Sequence, residues 1–210
     1  MKTRVKNAFR TAANTMSVDL YSSGSLTNQM GGLGHIIQNA GTGTVGGINS
    51  STYGFWTNQF REMSGSGTWS KSTIKGDMNA LWLSCVRGTD QPDLLISTHD
   101  FYAAYWESLQ DLARYNDPTT NSKAVAGYTA LKYVNADVIF DSNSNFATTG
   151  EKIYYINSDY LYLCVHKQAN WTQEEDKVPV NQDAVMIPII FMGQLCSSNR
   201  NRQGVLIDAA

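Results

Sequence analysis

The sequence has 210 residues, a formal net charge of −2 and only 16% charged residues, against roughly 25% in an ordinary soluble domain. A hydrophobic fraction of 42% with 11% aromatic residues excludes a disordered chain, and the near-neutral charge gives no reason to expect that the whole chain seeks nucleic acid or acidic lipid. No apolar run approaches the roughly 18 residues of a membrane helix, and neutral polar residues replace charged ones, which suggests a surface that meets protein rather than water.

The amino-terminal segment predicts a long amphipathic helix. Apolar residues recur at helical spacing from Val5 to Leu20, and Ser22, Ser23 and Gly24 end the pattern. The apolar stripe is narrow. Residues 1–10 contain four basic residues and no acid, so we expect a basic opposite face.

A glycine-rich segment follows, and between Gly41 and Gly46 it matches the dinucleotide-binding pattern G-x-G-x-x-G. That pattern binds a pyrophosphate only where its last glycine opens a helix. Residues 46–60 are rich in Gly, Asn and Ser and lack helical spacing of apolar residues, so no helix is predicted there. We therefore interpret the segment as a loop whose glycines provide positive φ and close backbone approach, after a short strand at residues 33–37.

The remainder predicts two helices around one buried strand and then mostly strands. Residues 70–87 form a predicted helix that ends near Gly88, with the apolar face Ile74, Met78, Leu81, Trp82 and Cys85. Residues 91–97 predict a buried strand, and Thr98 is the expected cap of a helix over residues 99–115. β-Branched and aromatic residues then predict strands at residues 130–141, 152–167, 184–199 and 202–208. This order indicates an α+β fold.

Three constellations invite a catalytic or metal role: Ser97–Asp100, the pair Cys164 and His166, and the pair Asp137 and Asp141. Sequence neighbours at a helix start cannot hold a nucleophile–base–orienter geometry. The cysteine–histidine pair lacks the second pair of ligands that a zinc site needs, and a solvated strand face explains the two carboxylates equally well. The sequence therefore predicts no enzyme, no metal and no cofactor. The three cysteines form no C-x-x-C pair, which favours reduced thiols in a cytosolic setting.

Several segments occur in an order that is specific when taken together: LYSSGSLTNQMGGL after the long helix, GTGTVGGIN leading to FW, QPDLLI after a helix, and then NADVIFD, YYINSDYLYL and GQLCSSNRNRQGVL. In this order, and across nearly all of the chain, the sequence resembles the major capsid proteins of tailed bacteriophages, which share the HK97-like shell fold. The resemblance implies a spine helix at residues 1–22. It further implies a peripheral β-rich domain of residues 1–66 and 183–210, and an axial α/β domain of residues 67–182.

The resemblance implies a non-enzymatic subunit of an icosahedral head, forming pentamers and hexamers around double-stranded DNA. Its implied partners are copies of itself, scaffold, portal or decoration proteins, and packaged DNA in non-specific contact, with no membrane. Its implied location is the virion capsid, assembled in the bacterial host cytoplasm. Relatives carry an N-terminal arm and a long hairpin, the E-loop, before the spine helix. This chain begins almost on the helix, and we expect it to be a piece of a longer protein.

The resemblance also places the glycine loop and the basic helix face at subunit contacts. The candidate interface residues are Lys2, Arg4, Lys6, Arg10, Gly41, Gly43, Gly46, Gly47, Trp56, Arg61, Arg200 and Arg202. We expect the basic face to pair with acids of a neighbour rather than with DNA, because a shell that gripped DNA through many lysines would hinder its release. Three alternatives stay open: an aromatic-bearing module that binds glycans or nucleic acid, a nucleotide-dependent enzyme, and an encapsulating protein compartment of the same fold.

Overall fold

The structure is a computed structural model, and it describes residues 2–63, 73–113, 131–142, 146, 152–178, 180–181 and 185–208. The first element is helix α1 (Lys2–Asp19), which confirms the predicted long helix. None of the side chains from residue 3 to residue 20 is buried. The apolar stripe of α1 is therefore only partly covered by the rest of the described chain. No helix in these ranges has both the length and the apolar character to cross a bilayer.

The segment predicted as a strand at residues 33–37 is instead a short helix, α2 (Leu33–Ile36). Leu33, Ile36 and Ile37 are buried, and the backbone N–H of Ile37 donates to the carbonyl of Leu33 at 2.7 Å. A spacing of three to four residues between buried side chains fits one helical turn, and no described strand pairs with this segment. The strand prediction was wrong because a short apolar run is ambiguous without its partners.

The glycine segment forms a small hairpin rather than a featureless loop. Strands β1 (Thr44–Val45) and β2 (Ile48–Asn49) pair antiparallel. The two residues between them, Gly46 and Gly47, have φ of 61° and 80°, the combination that a two-residue hairpin turn requires and that glycine adopts without strain. The predicted positive φ is confirmed. The G-x-G-x-x-G match closes a hairpin and opens no helix, so it lacks the setting of a dinucleotide site.

The centre of the molecule is a six-stranded mixed sheet in the order β3-β12-β7-β4-β6-β5. Its strands are β3 (Gln59–Glu62), β4 (Leu94–Ser97), β5 (Leu131–Tyr133), β6 (Ala136–Phe140), β7 (Lys152–Ile156) and β12 (Gly204–Ile207). Strand β12 runs parallel to β3 and antiparallel to β7, whereas β4 runs antiparallel to β7 and parallel to β6. The carboxy-terminal strand thus lies inside the sheet.

Two apolar cores cover the two faces of this sheet. Helices α3 (Ile74–Cys85) and α4 (His99–Ala113) pack on one face, where Tyr155 of β7 points. The other face holds α2 together with Tyr21, Phe146 and Tyr154. Successive residues of a strand point to opposite faces, so β7 is buried along its whole length. The predicted apolar face of α3 is confirmed, although the helix ends at Cys85, before Gly88.

The remaining strands lie beside α1 in a region that we call the arm, which is a different segment from the N-terminal arm named above. Strand β8 (Leu161–Val165) pairs antiparallel with β11 (Gly193–Ser197), and β9 (Thr172–Gln173) pairs with β10 (Ile189–Ile190). Strands from the predicted peripheral and axial segments share both the six-stranded sheet and the β8–β11 pair. The domain boundaries at residues 66 and 182 stay a prediction.

Candidate subunit-interface surfaces

The glycine hairpin rests on Trp56, whose indole N–H donates to the carbonyl of Val45 at 3.0 Å. Three aromatic side chains near the hairpin are exposed, and we call them the aromatic surface: Tyr53, Phe55 and Phe60, at 53%, 67% and 48% exposure. The rings of Tyr53 and Phe55 are 6.0 Å apart. Clustered exposed aromatic residues are typical of protein–protein contact sites, so this surface is the first candidate interface.

Gly41 and the turn glycines play different roles in this surface. A Cβ on Gly41 would lie 2.9 Å from the carbonyl oxygen of Asn58 and 3.1 Å from the Phe60 ring, whereas a Cβ on Gly46 or Gly47 would meet nothing within 4 Å. The absence of a side chain at Gly41 therefore allows the backbone before the hairpin to pack closely against Asn58 and Phe60. The turn itself stands free of the described residues and is open to a partner.

Arg200 is a buried clamp and not a surface residue. Its guanidinium donates three hydrogen bonds, from Nε to the carbonyl of Ile36 at 2.6 Å, from Nη1 to the carbonyl of Trp56 at 2.9 Å, and from Nη2 to Oδ1 of Asn58 at 2.9 Å. Burial lowers the pKa of this guanidinium. The side chain is fully buried, which removes Arg200 from the predicted interface. It instead joins the end of α2 to the segment that supports the hairpin.

Arg202 is also internal, whereas Arg61 stays accessible. Arg202 is buried and its Nη1 donates to the carbonyl of Cys85 at 3.3 Å, so it too leaves the predicted interface. The Arg61 side chain is 40% exposed, and its Nη2 lies 2.9 Å from Oδ1 of the buried Asp77. No sequence pattern separated these inward arginines from exposed ones, because their carbonyl partners are distant in the chain.

The basic residues of α1 do not form a single face. Arg4, Lys6 and Arg10 are exposed, and among the described residues none of them forms an ion pair. Lys6 and Arg10 are four residues apart and share one side of the helix. Arg4 instead lines a groove with Val185, Ile187 and Ile189 of the arm. The helix therefore lacks the single basic face that we expected opposite the apolar stripe. Its basic residues lie on both sides of the stripe instead.

An open groove separates α1 from the arm. It has a volume of about 880 Å³ and is lined by small and apolar side chains that include Ala12, Met16 and Met192. On the arm side the rings of Trp171 and Phe191 stack at 4.8 Å. Because the groove is open, the apolar stripe of α1 stays half-exposed, and α1 is the second candidate contact element.

The Ser97–Asp100 constellation does not form a catalytic group. The hydroxyl of Ser97 donates to the carbonyl of Ile139 at 3.1 Å, and the exposed pair His99 and Asp100 is 3.5 Å apart. The buried Oγ1 of Thr98 has no hydrogen-bond partner, so the predicted side-chain cap is wrong. Its backbone carbonyl accepts from the N–H of Tyr102 instead, since the hydroxyl is turned into the protein.

The two aspartates, Asp137 on β6 and Asp141 just after it, have different partners. Asp141 accepts from the hydroxyl of Tyr21 at 2.7 Å, and burial together with this carboxylate raises the pKa of Tyr21. Asp137 lies 3.3 Å from the ammonium of Lys132 on the neighbouring strand. Each carboxylate thus has a partner of its own within the chain.

Neighbouring groups on the arm account for the cysteine–histidine pair, Cys164 and His166, without a metal. Burial raises the pKa of Cys196, and its neighbour Cys164 adds to that shift. Nδ1 of His166 accepts from the backbone N–H of Gln168 at 3.3 Å. Within the described ranges no three His, Cys, Asp or Glu side chains come together as metal ligands.

The fold has clear counterparts among solved structures, whereas no protein-family model and no curated protein sequence matches the chain. It superimposes on a chain of the capsid asymmetric unit of cyanophage A-1(L), with a TM-score of 0.72 and 16% identity, over 99% of this chain and 69% of that one. It also superimposes on the holo-SrpI encapsulin of Synechococcus elongatus PCC 7942, with a TM-score of 0.61 and 12% identity, over 98% of this chain and 64% of the other. The chain therefore has the α+β HK97-like shell fold that capsid and encapsulin subunits share.

Proposed function

We propose that the chain is a structural subunit of an icosahedral bacteriophage head, which assembles into pentamers and hexamers around double-stranded DNA. The observation that carries this proposal is the match to the cyanophage capsid chain over 99% of this chain. The TM-score of that match, 0.72, exceeds the 0.61 of the encapsulin match. The proposed location is the virion capsid, after assembly in the bacterial host cytoplasm.

The exposed apolar surfaces support self-association as the role of this fold. The aromatic surface beside the glycine hairpin and the half-covered stripe of α1 both leave apolar area in water. Burying such area against another copy gains roughly 25 cal/mol per Å². A shell repeats each contact many times, so modest contacts suffice. The partners are copies of this chain, with scaffold, portal or decoration proteins and packaged DNA as further proposed partners.

The first experiment is electron microscopy of the protein expressed from its complete reading frame. Negative staining and light scattering of purified material should show uniform closed shells tens of nanometres across. A dispersed monomer at every concentration tested would overturn the proposal.

A second candidate, an encapsulating protein compartment, is favoured by the encapsulin match. The two functions share the shell and differ in its contents. Purified shells should be treated with nuclease, opened and tested for nucleic acid and protein. Protected double-stranded DNA supports the phage head. A single protein cargo without DNA supports the compartment.

The aromatic surface can be tested separately in the assembled protein. Tyr53→Ser with Phe55→Ser should leave the fold unchanged, because both side chains are exposed, and should weaken assembly. Leu83→Ser is the matched control, since Leu83 is 64% exposed on α3, away from the hairpin. Equal assembly of both variants and the unchanged chain would remove the aromatic surface from the interface.

A further inference from the structure

One end of the molecule carries an exposed apolar group with opposite charges beside it. The group, which we call the arm tip, consists of Val178, Val180, Val185 and Met186, at 71%, 101%, 50% and 57% exposure. The backbones of Lys177 and Met186 donate to each other at 2.8 Å in both directions. The tip is thus a continuation of the arm beyond β9 and β10 whose side chains gain little burial from the rest of the described chain.

The segment that leads from β9 to the arm tip is acidic. Glu175 and Asp176 are exposed, and within the described residues neither of them has an ion-pair partner. Glu174 is different, because its carboxylate lies 2.8 Å from the ammonium of Lys177. Two negative charges are therefore left without a local counter-charge.

The first turns of α1 lie beside this part of the arm. A groove of about 230 Å³ lies between the first turns of α1 and the arm, and it is lined by Arg4, Val5, Ala8, Val185, Ile187 and Ile189. Lys6 and Arg10 belong to the same first turns of α1, and like Arg4 they form no ion pair in the described part of the chain. Among its described residues, each copy thus presents two unpaired cations on the side of α1 away from this groove and two unpaired acids on the arm, with the apolar arm tip next to the acids.

We propose that this region binds a second copy of the chain head-to-tail, with Lys6 and Arg10 of one copy facing Glu175 and Asp176 of the next. The proposal rests on the shell function and names one contact within it. Charge complementarity selects a second copy as the partner, since each copy carries both halves of the contact. A patch that also contains acids and exposed valines suits DNA poorly, because phosphates would meet carboxylates.

In a head-to-tail contact the basic residues of one copy meet the acids of the next, whose own basic residues stay free for a third copy. Contacts of this kind close into a ring when the rotation between copies allows it. An exposed ion pair contributes only about 0.2–1 kcal/mol. The charges therefore set the register and the choice of partner, whereas burial of the arm tip supplies most of the affinity.

The test reverses each patch in the full chain. One variant carries Lys6→Glu and Arg10→Glu, a second carries Glu175→Lys and Asp176→Lys, and a third carries all four substitutions. The matched control carries Arg87→Glu and Lys167→Glu, at two exposed cations outside α1 and the arm tip, with the same change in net charge as the first variant. Circular dichroism checks the fold, while light scattering and electron microscopy measure association at low salt and at high salt.

Each two-residue reversal should weaken association by about tenfold or more, because two attractive pairs become repulsive. Mixing these two variants, or combining all four substitutions in one chain, should restore association, and the control should behave as the unchanged chain. Shells that form equally well from every variant overturn this contact and leave the shell function standing. Charge-dependent oligomers that never close into shells support the contact and overturn the shell function. A chain that stays monomeric in all forms overturns both.

Discussion

At the residue scale, Arg200 links three segments that are far apart in the sequence. Replacing it with Met would leave the carbonyls of Ile36 and Trp56 without their guanidinium donor, while Oδ1 of Asn58 would keep only the backbone N–H of Gln38. Each unsatisfied group costs about 1–3 kcal/mol, so the two carbonyls alone should make Arg200→Met reduce the free energy of unfolding by about 2 kcal/mol or more. Urea unfolding measures this loss. Arg87→Met, at an exposed arginine, is the control, with an expected change within about 0.5 kcal/mol. Equal values for both variants would contradict the clamp.

Substitution by alanine should cost different amounts of unfolding free energy at two glycines in the hairpin region. Gly46→Ala places a Cβ at a φ of 61° but in open space, so it should cost about 1–2 kcal/mol of unfolding free energy. Gly41→Ala adds to a φ of 72° a contact of 2.9 Å with a backbone oxygen, so its cost should be larger. Thermal or urea unfolding compares the two variants. A smaller loss for Gly41→Ala would show that the hairpin does not depend on this close approach.

At the element scale, α1 and α3 differ in how much of each helix the chain itself covers. No side chain from residue 3 to residue 20 is buried, whereas α3 buries six of its residues. Local opening is easiest where little apolar surface is buried, so the amides of α1 should exchange hydrogen faster than those of α3 in the unassembled protein. Assembly should slow exchange in α1. Equal protection of both helices before assembly would contradict the exposed state of the α1 stripe.

At the scale of the whole molecule, the apolar cores make the protein sensitive to alkali. Burial raises the pKa of Tyr105 to about 12 and raises the pKa values of Tyr154 and Tyr155 above the ordinary 10.0. The unfolded chain then loses these protons at lower pH than the folded chain, so stability is fully present below pH 10 and falls as the pH rises towards the folded values. The lowered pKa of Lys152 has the opposite effect on stability, but only at pH values below the ordinary lysine pKa of 10.5.

Urea unfolding at pH 10.5 and at about pH 11.5 tests this dependence above the range in which Lys152 opposes it. The free energy of unfolding should be lower at the higher pH. Tyr105→Phe should reduce the loss between the two pH values, although it also leaves the carbonyl of Lys132 without its phenol donor. An unfolding free energy that is the same at both pH values would contradict the burial of these tyrosines.

Local patterns in the sequence determined the long first helix, the apolar face of α3, the strand at Leu94–Ser97 and the β-rich second half, because periodicity and residue type are properties of neighbours along the chain. Tertiary structure decided that residues 33–37 form a helical turn and that the glycines close a hairpin, since both depend on what packs against them. Tertiary structure also decided which arginines are buried. Arg200 and Arg202 look like Arg10 in the sequence, and only carbonyl groups brought from distant segments make two of them internal and leave the third exposed.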